Sequence, residues 1–242
     1  MDISTLLLSA MAALVALTIH EFAHGYVAYK LGDNTAKSYG RLSLNPIKHL
    51  DPFGALCMVF FHFGWAKPVP INPRNFKNPR KGFAITAVAG PLTNIVVGFF
   101  TAFLYLLCLH NITQTDSAFL NNLQINTLLF LMYFFSINIG LGIFNLIPVP
   151  PFDGSRILNV ILPPKLYFKV MRYEKQMYWG VIAWLFLGQY VYYALLSVPF
   201  IAGTPILSSI AKIFSLSDIL SDTINAIANG MIRFWKLIPI FR

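Results

Sequence analysis

The sequence predicts an all-α polytopic membrane protein, with about four to six transmembrane helices, a short membrane-associated β-hairpin and re-entrant segments. Three observations support this fold class. Hydrophobic residues make up 57% of the 242 residues and charged residues only 11%, a balance outside the range of soluble domains. Four apolar segments reach the length of about 20 residues that one crossing needs. Basic residues are also divided unevenly between the connections that join these segments.

The segments predicted to cross the membrane are 3–29, 82–109, 127–147 and 177–199. We expect the first to remain in the mature protein, because it lacks the basic start of a signal peptide and carries the most distinctive polar residues of the chain. The same segment has no charged residue from Ile3 to Ile19.

Three further apolar segments differ from these spans. Segment 53–65 is too short to cross unaided, which favours a re-entrant or interfacial position, and segment 205–216 is also short. Segment 223–241 carries Arg233 and Lys236 on an apolar background, which predicts an amphipathic helix on the membrane surface. We therefore divide the chain into a membrane domain at 1–216 and a C-terminal surface helix at 217–242.

Residues 38–46 alternate partly between apolar and polar side chains and are bounded by turn residues. This pattern predicts a short strand. Its exposed edge could hold an extended peptide by strand addition, and an ordinary surface hairpin explains the pattern equally well.

Basic residues predict the orientation of the spans. Residues 30–81 carry nine lysines and arginines and residues 156–175 carry five, whereas residues 111–126 carry none. The positive-inside rule therefore places the first two connections in the cytoplasm. The net charge of +9 reflects this orientation and contact with anionic headgroups of the bilayer. A soluble basic face is missing, so we expect no nucleic-acid partner.

The most informative stretch is His20-Glu21-Phe22-Ala23-His24, near the predicted cytoplasmic end of the first span. Residues four apart share one face of a helix, so His20 and His24 can bind one metal ion. Glu21 can then reach a water held by that metal and act as general base. Polar groups at membrane depth are costly, which makes these residues candidates for a functional site.

Two residues from the second span and from the end of the third are predicted at a similar depth in the membrane. Asp153 follows the third span on the cytoplasmic side, and two histidines with one carboxylate form the ligand set of a catalytic zinc site. Asn94 is an amide within the second span. It either makes a contact between helices or donates to a substrate carbonyl or oxyanion.

Three motifs together resemble the site-2 protease family of intramembrane zinc metalloproteases: HEFAH at 20–24, GPLTN at 90–94 and NLIPVPPFDG at 145–154. The stretches RLSLNPIKHLDPFG and GWAKPVPINP resemble its short standalone branch without a PDZ domain. The resemblance implies one zinc ion bound by His20, His24 and Asp153, catalysis by Glu21 and an active-site role for Asn94. It also implies cleavage of transmembrane protein substrates. Phe152 stands where the family usually has leucine.

A metal transporter or metal sensor could use the same ligands without hydrolysis. Transporters commonly show internal repeats, which this sequence lacks, and such a protein would leave Glu21 unexplained. A catalytically inactive scaffold is disfavoured because every expected catalytic residue is present. We expect a multi-pass protein of a prokaryotic cell membrane, with the active site towards the cytoplasm.

Overall fold

The computed structural model describes residues 3–61 and 65–241, most of which are helical. The helices are α1 (Ile3–Lys30), α2 (Thr35–Ser38), α3 (Pro52–Phe61), α4 (Pro79–His110), α5 (Ala118–Asn145), α6 (Gly154–Ile161), α7 (Pro164–Met171), α8 (Glu174–Leu196), α9 (Pro199–Ala202), α10 (Pro205–Ala211) and α11 (Leu216–Trp235). Short 3₁₀ turns cover Pro46–Lys48, Pro73–Asn75, Lys212–Phe214 and Pro239–Phe241.

Four of these helices, α1, α4, α5 and α8, are long and apolar enough to cross a membrane. They correspond to the four predicted spans. The prediction of a membrane protein with several apolar helices is therefore confirmed. Helix α5 begins at Ala118, earlier than the predicted 127, because the Ser117 side chain accepts a hydrogen bond from the N–H of Leu120. This N-cap satisfies a donor that the helix itself cannot pair.

Helices α1, α4 and α5 pack against one another and form the centre of the fold. Small residues allow the close approach. A Cβ at Gly98 of α4 would lie 2.5 Å from Cδ1 of Ile139, and one at Gly142 of α5 would lie 2.6 Å from Cγ1 of Ile95. Close backbone contact through small residues is the usual way in which helices associate inside a membrane.

The predicted β-hairpin is not confirmed, and residues 38–46 do not form a strand. Ser38 ends α2, and Gly40 turns the chain with a φ of +64°. The Asn45 side chain then accepts from the N–H of Ile47 and starts a 3₁₀ turn at Pro46. These local side-chain bonds compete with strand pairing.

The predicted re-entrant position of 53–65 is not confirmed either. Residues 52–61 form α3, whose ten residues are too few to cross, and residues 62–64 lie outside the described part of the chain. Beyond these residues, Ala66 makes an isolated antiparallel bridge to Leu50. Segment 205–216 forms α10 and a 3₁₀ turn.

The C-terminal segment forms α11, whose apolar face packs on α4 and α5. Ile224, Met231 and Trp235 contact a buried cluster around Phe135 and Ile139. Nε1 of Trp235 also donates to the carbonyl oxygen of Phe99 in α4, at 2.8 Å. A position on the membrane surface and the domain division at 216 stay predictions.

Candidate metal centre

The metal centre starts from two histidines on one face of α1. His20 and His24 are four residues apart, and both are buried in the packing of α1 on α4. Their rings meet almost at right angles, with centroids 4.6 Å apart. The two Nε2 atoms lie 3.0 Å from each other.

Asp153 joins them from the segment that follows α5. Its Oδ2 lies 3.0 Å from Nε2 of His20 and 3.1 Å from Nε2 of His24. The tight return that brings Asp153 here needs the next residue to be glycine, because a Cβ at Gly154 would lie 2.3 Å from the carbonyl oxygen of Leu146. The structure thus brings together the three residues that the sequence predicts as metal ligands.

The far side of each imidazole is held by α4. Nδ1 of His24 donates to the carbonyl oxygen of Thr86 at 2.7 Å. Nδ1 of His20 contacts Oδ1 of Asn94 at 2.6 Å. A carbonyl oxygen can only accept, so Nδ1 of each ring carries a proton, and in the neutral imidazole Nε2 is then the nitrogen that can bind a metal.

The three donor atoms are placed to share one divalent cation. Two imidazole nitrogens and a carboxylate oxygen face one another within 3.1 Å, which is close to the spacing of ligands around one metal ion. Tetrahedral zinc with bonds of about 2.0–2.1 Å separates its ligand atoms by about 3.3 Å. Nitrogen and oxygen ligands of this kind, with the outer nitrogens held by carbonyl groups, are typical of zinc sites.

Asn94 lies behind His20. Its side chain is fully buried. Its Nδ2 donates to Oδ1 of Asn138 in α5, at 2.7 Å, and to the carbonyl oxygen of Ala16 in α1, at 3.2 Å. Of the two roles open from the sequence, this geometry favours the contact between helices, with Asn94 orienting His20. It does not line the cavity described below.

Glu21 lies beside the three donors but is not part of their cluster. Its Oε2 accepts a hydrogen bond of 2.7 Å from the backbone N–H of Val69. No hydrogen bond reaches its other carboxylate oxygen from the part of the chain that the structure describes. One oxygen of the candidate general base is therefore held, and the other remains available.

A cavity of about 860 Å³ opens onto His20 and Glu21. Its walls come from α1, α5, α8 and α11 and from the segment around Trp65, and they are mainly apolar. Besides these residues, the lining includes Leu6, Ala13, Leu17, Ala66, Ile137, Leu141, Phe144, Phe152, Leu185 and Ile224. Such a space suits an apolar peptide segment next to the metal centre.

The sequence analysis assigned no role to two contributors to this site. Asn145, the last residue of α5, lines the cavity, and its Nδ2 donates to the carbonyl oxygen of Leu141 at 3.1 Å. Its position eight residues before Asp153, at the end of an apolar span, was a signal that could have identified it. The N–H of Val69 belongs to the backbone, and its contact with Glu21 joins residues 48 positions apart, which the sequence does not indicate.

Two histidines from an apolar helix and one aspartate from the segment after α5, with a free carboxylate on the same cavity, form the arrangement of a metal-dependent hydrolase embedded in a membrane. The sequence profile of peptidase family M50 matches residues 8–188. The chain therefore belongs to this family, the site-2 protease family of metalloproteases, as its three motifs predicted.

Individual relatives agree with the family assignment. "Putative zinc metalloprotease YwhC" from Bacillus subtilis is 41% identical over 207 residues, which cover 84% of this chain and 88% of the relative. "Zinc metalloprotease MJ0392" from Methanocaldococcus jannaschii is 30% identical over 62% of this chain and 33% of its own length. Rip2 from Mycolicibacterium smegmatis is 27% identical over 63% of this chain and 56% of its own length. No solved structure matches the chain significantly.

Proposed function

We propose that the protein is a zinc-dependent intramembrane endopeptidase, which hydrolyses peptide bonds of membrane-protein substrates within or beside the bilayer. One observation carries this proposal. Nε2 of His20, Nε2 of His24 and Oδ2 of Asp153 lie within 3.1 Å of one another, and Glu21 lies on the same cavity.

His20, His24 and Asp153 would hold one zinc ion next to the cavity. When bound, zinc supplies a Lewis acid that polarises the scissile carbonyl and makes water more acidic. Asn94 and Thr86 keep the two imidazoles in the tautomer that binds a metal. Asp153 supplies the negative charge that balances the cation.

Glu21 supplies the proton transfers. Its unpaired carboxylate oxygen takes a proton from the attacking water and then delivers it to the leaving amine of the substrate. The Val69 N–H restricts the rotation of the carboxylate during both steps. The apolar walls of the cavity bind the residues that flank the scissile bond and limit access of bulk water.

Transmembrane proteins are the substrate class that this setting favours. Helices α1 and α5, which form two walls of the cavity, are both candidate spans, so a substrate can reach the site laterally from the lipid. The asymmetry of the basic connections supports a site near the cytoplasmic face of a prokaryotic cell membrane. Water would then enter from the cytoplasm.

Glu21→Gln provides the direct test, because this change removes the base and keeps the three metal donors. Membrane proteomes of cells carrying wild type and Glu21→Gln are compared, and fragments that disappear identify substrates. On a purified substrate, we expect the variant to lose at least about 10²-fold in cleavage rate and to keep one equivalent of zinc by metal analysis.

Glu174→Gln is the matched control. Glu174 is the other glutamate of the chain, and it forms a partly exposed pair with Arg156 away from the cavity, so its loss should leave cleavage unchanged. Cleavage by Glu21→Gln at the wild-type rate would contradict the proposed base. Zinc uptake into proteoliposomes that is lost on His20→Ala, without any proteolysis, would favour a transporter instead.

A further inference from the structure

A second cavity, of about 560 Å³, lies between α4 and α6 and shares no lining residue with the catalytic cavity. We call it the α4–α6 groove. Its lining consists of nine apolar residues and one lysine: Val27, Lys81, Ala84, Ile85, Val88, Ala89, Leu92, Ile157, Val160 and Ile161.

The groove follows one face of α4. Its lining residues on this helix recur at intervals of three or four from Lys81 to Leu92, a distance of about 16 Å at helical rise. Ala84 and Ala89 are buried and form the floor. Ile85 and Leu92 are each more than half exposed, and Ile161 on the α6 wall is 69% exposed. The groove is therefore long, narrow and open along its side.

One end of the groove is positively charged. Lys81 is exposed in the first turn of α4, and its ammonium group makes no ion pair with any described residue. Next to it, Nε of Arg80 donates to the carbonyl oxygen of Asn159, and Nη2 donates to that of Leu162, each at 2.8 Å. Arg80 thereby ties the start of α4 to the end of α6 and sets the width of the groove at its charged end.

The position of the groove along α4 suits a phospholipid. Helix α4 has 32 residues, whereas about 20 are enough to cross the hydrocarbon core, and the basic residues Arg80 and Lys81 in its first turn favour that end as the one in the headgroup region. Lys81 then lies at headgroup level, and the apolar lining runs from there towards the hydrocarbon. A cation without a carboxylate partner at this level attracts an anionic headgroup.

We propose that the α4–α6 groove binds one anionic phospholipid, with an acyl chain along α4 and the headgroup phosphate paired with Lys81. The lipid connects α4 to α6, and α6 begins directly after Asp153. Lipid binding thus stabilises the position of the helix that follows the metal centre. The proposal depends on the membrane location of the chain and not on its proteolytic activity.

Native mass spectrometry of the full-length protein in detergent micelles tests this proposal. The protein is titrated with dioleoyl phosphatidylglycerol or with dioleoyl phosphatidylcholine, and the bound copies are counted. We expect tighter binding of the anionic lipid. Lys81→Gln should weaken phosphatidylglycerol binding about fivefold, the effect of one basic residue near an anionic lipid, and should weaken phosphatidylcholine binding less, because the choline cation offsets the charge of its phosphate.

Ile161→Trp should fill the groove and weaken binding of both lipids, and Val160→Trp provides a second variant should the first fold poorly. Lys77→Gln and Val96→Trp are matched controls, because both residues are exposed and lie outside the groove. The proposal would be overturned if the wild-type protein bound the two lipids equally well. It would also be overturned if Lys81→Gln, or both tryptophan variants, bound phosphatidylglycerol as tightly as the wild-type protein. A dimer that dissociates when lipid is added would instead assign the groove to a second copy of the chain.

Discussion

The backbone N–H of Val69 donates a hydrogen bond of 2.7 Å to Oε2 of Glu21. Val69 lies between Pro68 and Pro70, which have no N–H, so it provides the single backbone donor of that tripeptide. The segment is held in place on both sides: the guanidinium of Arg41 donates to the carbonyl oxygen of Lys67, and the N–H of Asn72 donates to Asp33.

Val69→Pro removes this donor and retains an apolar side chain. If the hydrogen bond orients the general base, cleavage of an identified substrate should fall about 10²-fold, as expected when a catalytic group is displaced by about 1 Å. Zinc content should stay unchanged because no ligand is altered. Val69→Ala keeps the N–H and is the control. Equal losses in the two variants would point to packing by the Val69 side chain and against the hydrogen bond.

Asp153→Ala should lower zinc occupancy, because it removes the only negatively charged donor of the cluster. Metal analysis after gel filtration is the measurement, and we expect well below one equivalent with loss of cleavage. Asp116→Ala, on the exposed connection between α4 and α5, serves as the control and should retain full zinc. One full equivalent in Asp153→Ala would argue against this carboxylate as a ligand.

Gly90→Ala should disturb the metal centre by steric conflict alone. A Cβ at this position would lie 2.5 Å from Nε2 of His24 and 2.8 Å from Cε1 of His20. Overpacking of this kind costs about 1–3 kcal/mol, so we expect a loss of zinc affinity of about fivefold or more in competition with a chelator. Gly180→Ala in α8 is the matched control, because nothing lies within 4 Å of its Cβ. Unchanged affinity in Gly90→Ala would mean that the histidines can move aside.

Asp33 should make folding stability depend on acid pH. Burial by itself would raise the pKa of Asp33, but hydrogen bonds from Thr35, Asn72 and Asn75 outweigh it and lower the pKa. The unfolded state therefore binds the proton more readily. The stabilisation is present above the ordinary aspartate pKa of about 4, and it is lost as the pH falls through the folded value.

Thermal unfolding measured between about pH 3 and pH 6 checks this effect. We expect the melting temperature of wild type to rise with pH over this window, and that of Asp33→Asn to rise less. The same slope in both proteins would show that other carboxylates carry the dependence. Asp51→Asn is the control for the loss of one negative charge. Among the described residues, the Asp51 carboxylate accepts a single hydrogen bond, from the N–H of Gly54.

Much of the fold could be predicted because its signals are local. An apolar run of about 20 residues is visible without knowledge of its neighbours, and all four predicted spans correspond to long apolar helices. The β-hairpin at 38–46 was not predictable in the same way. Its partial alternation resembled a strand, but the Asn45 cap and the turn at Gly40 determine the local backbone.

The sequence by itself determined the shared face of His20 and His24, because helical periodicity depends only on spacing along one chain segment. It also predicted Asp153 near the two histidines, from the order of the spans and the orientation that the basic residues favour. Only the tertiary structure decided that Asn94 lies behind His20 and that Val69 holds Glu21. These contacts join residues 74 and 48 positions apart, and they depend on how helices and connections pack, which no local pattern encodes.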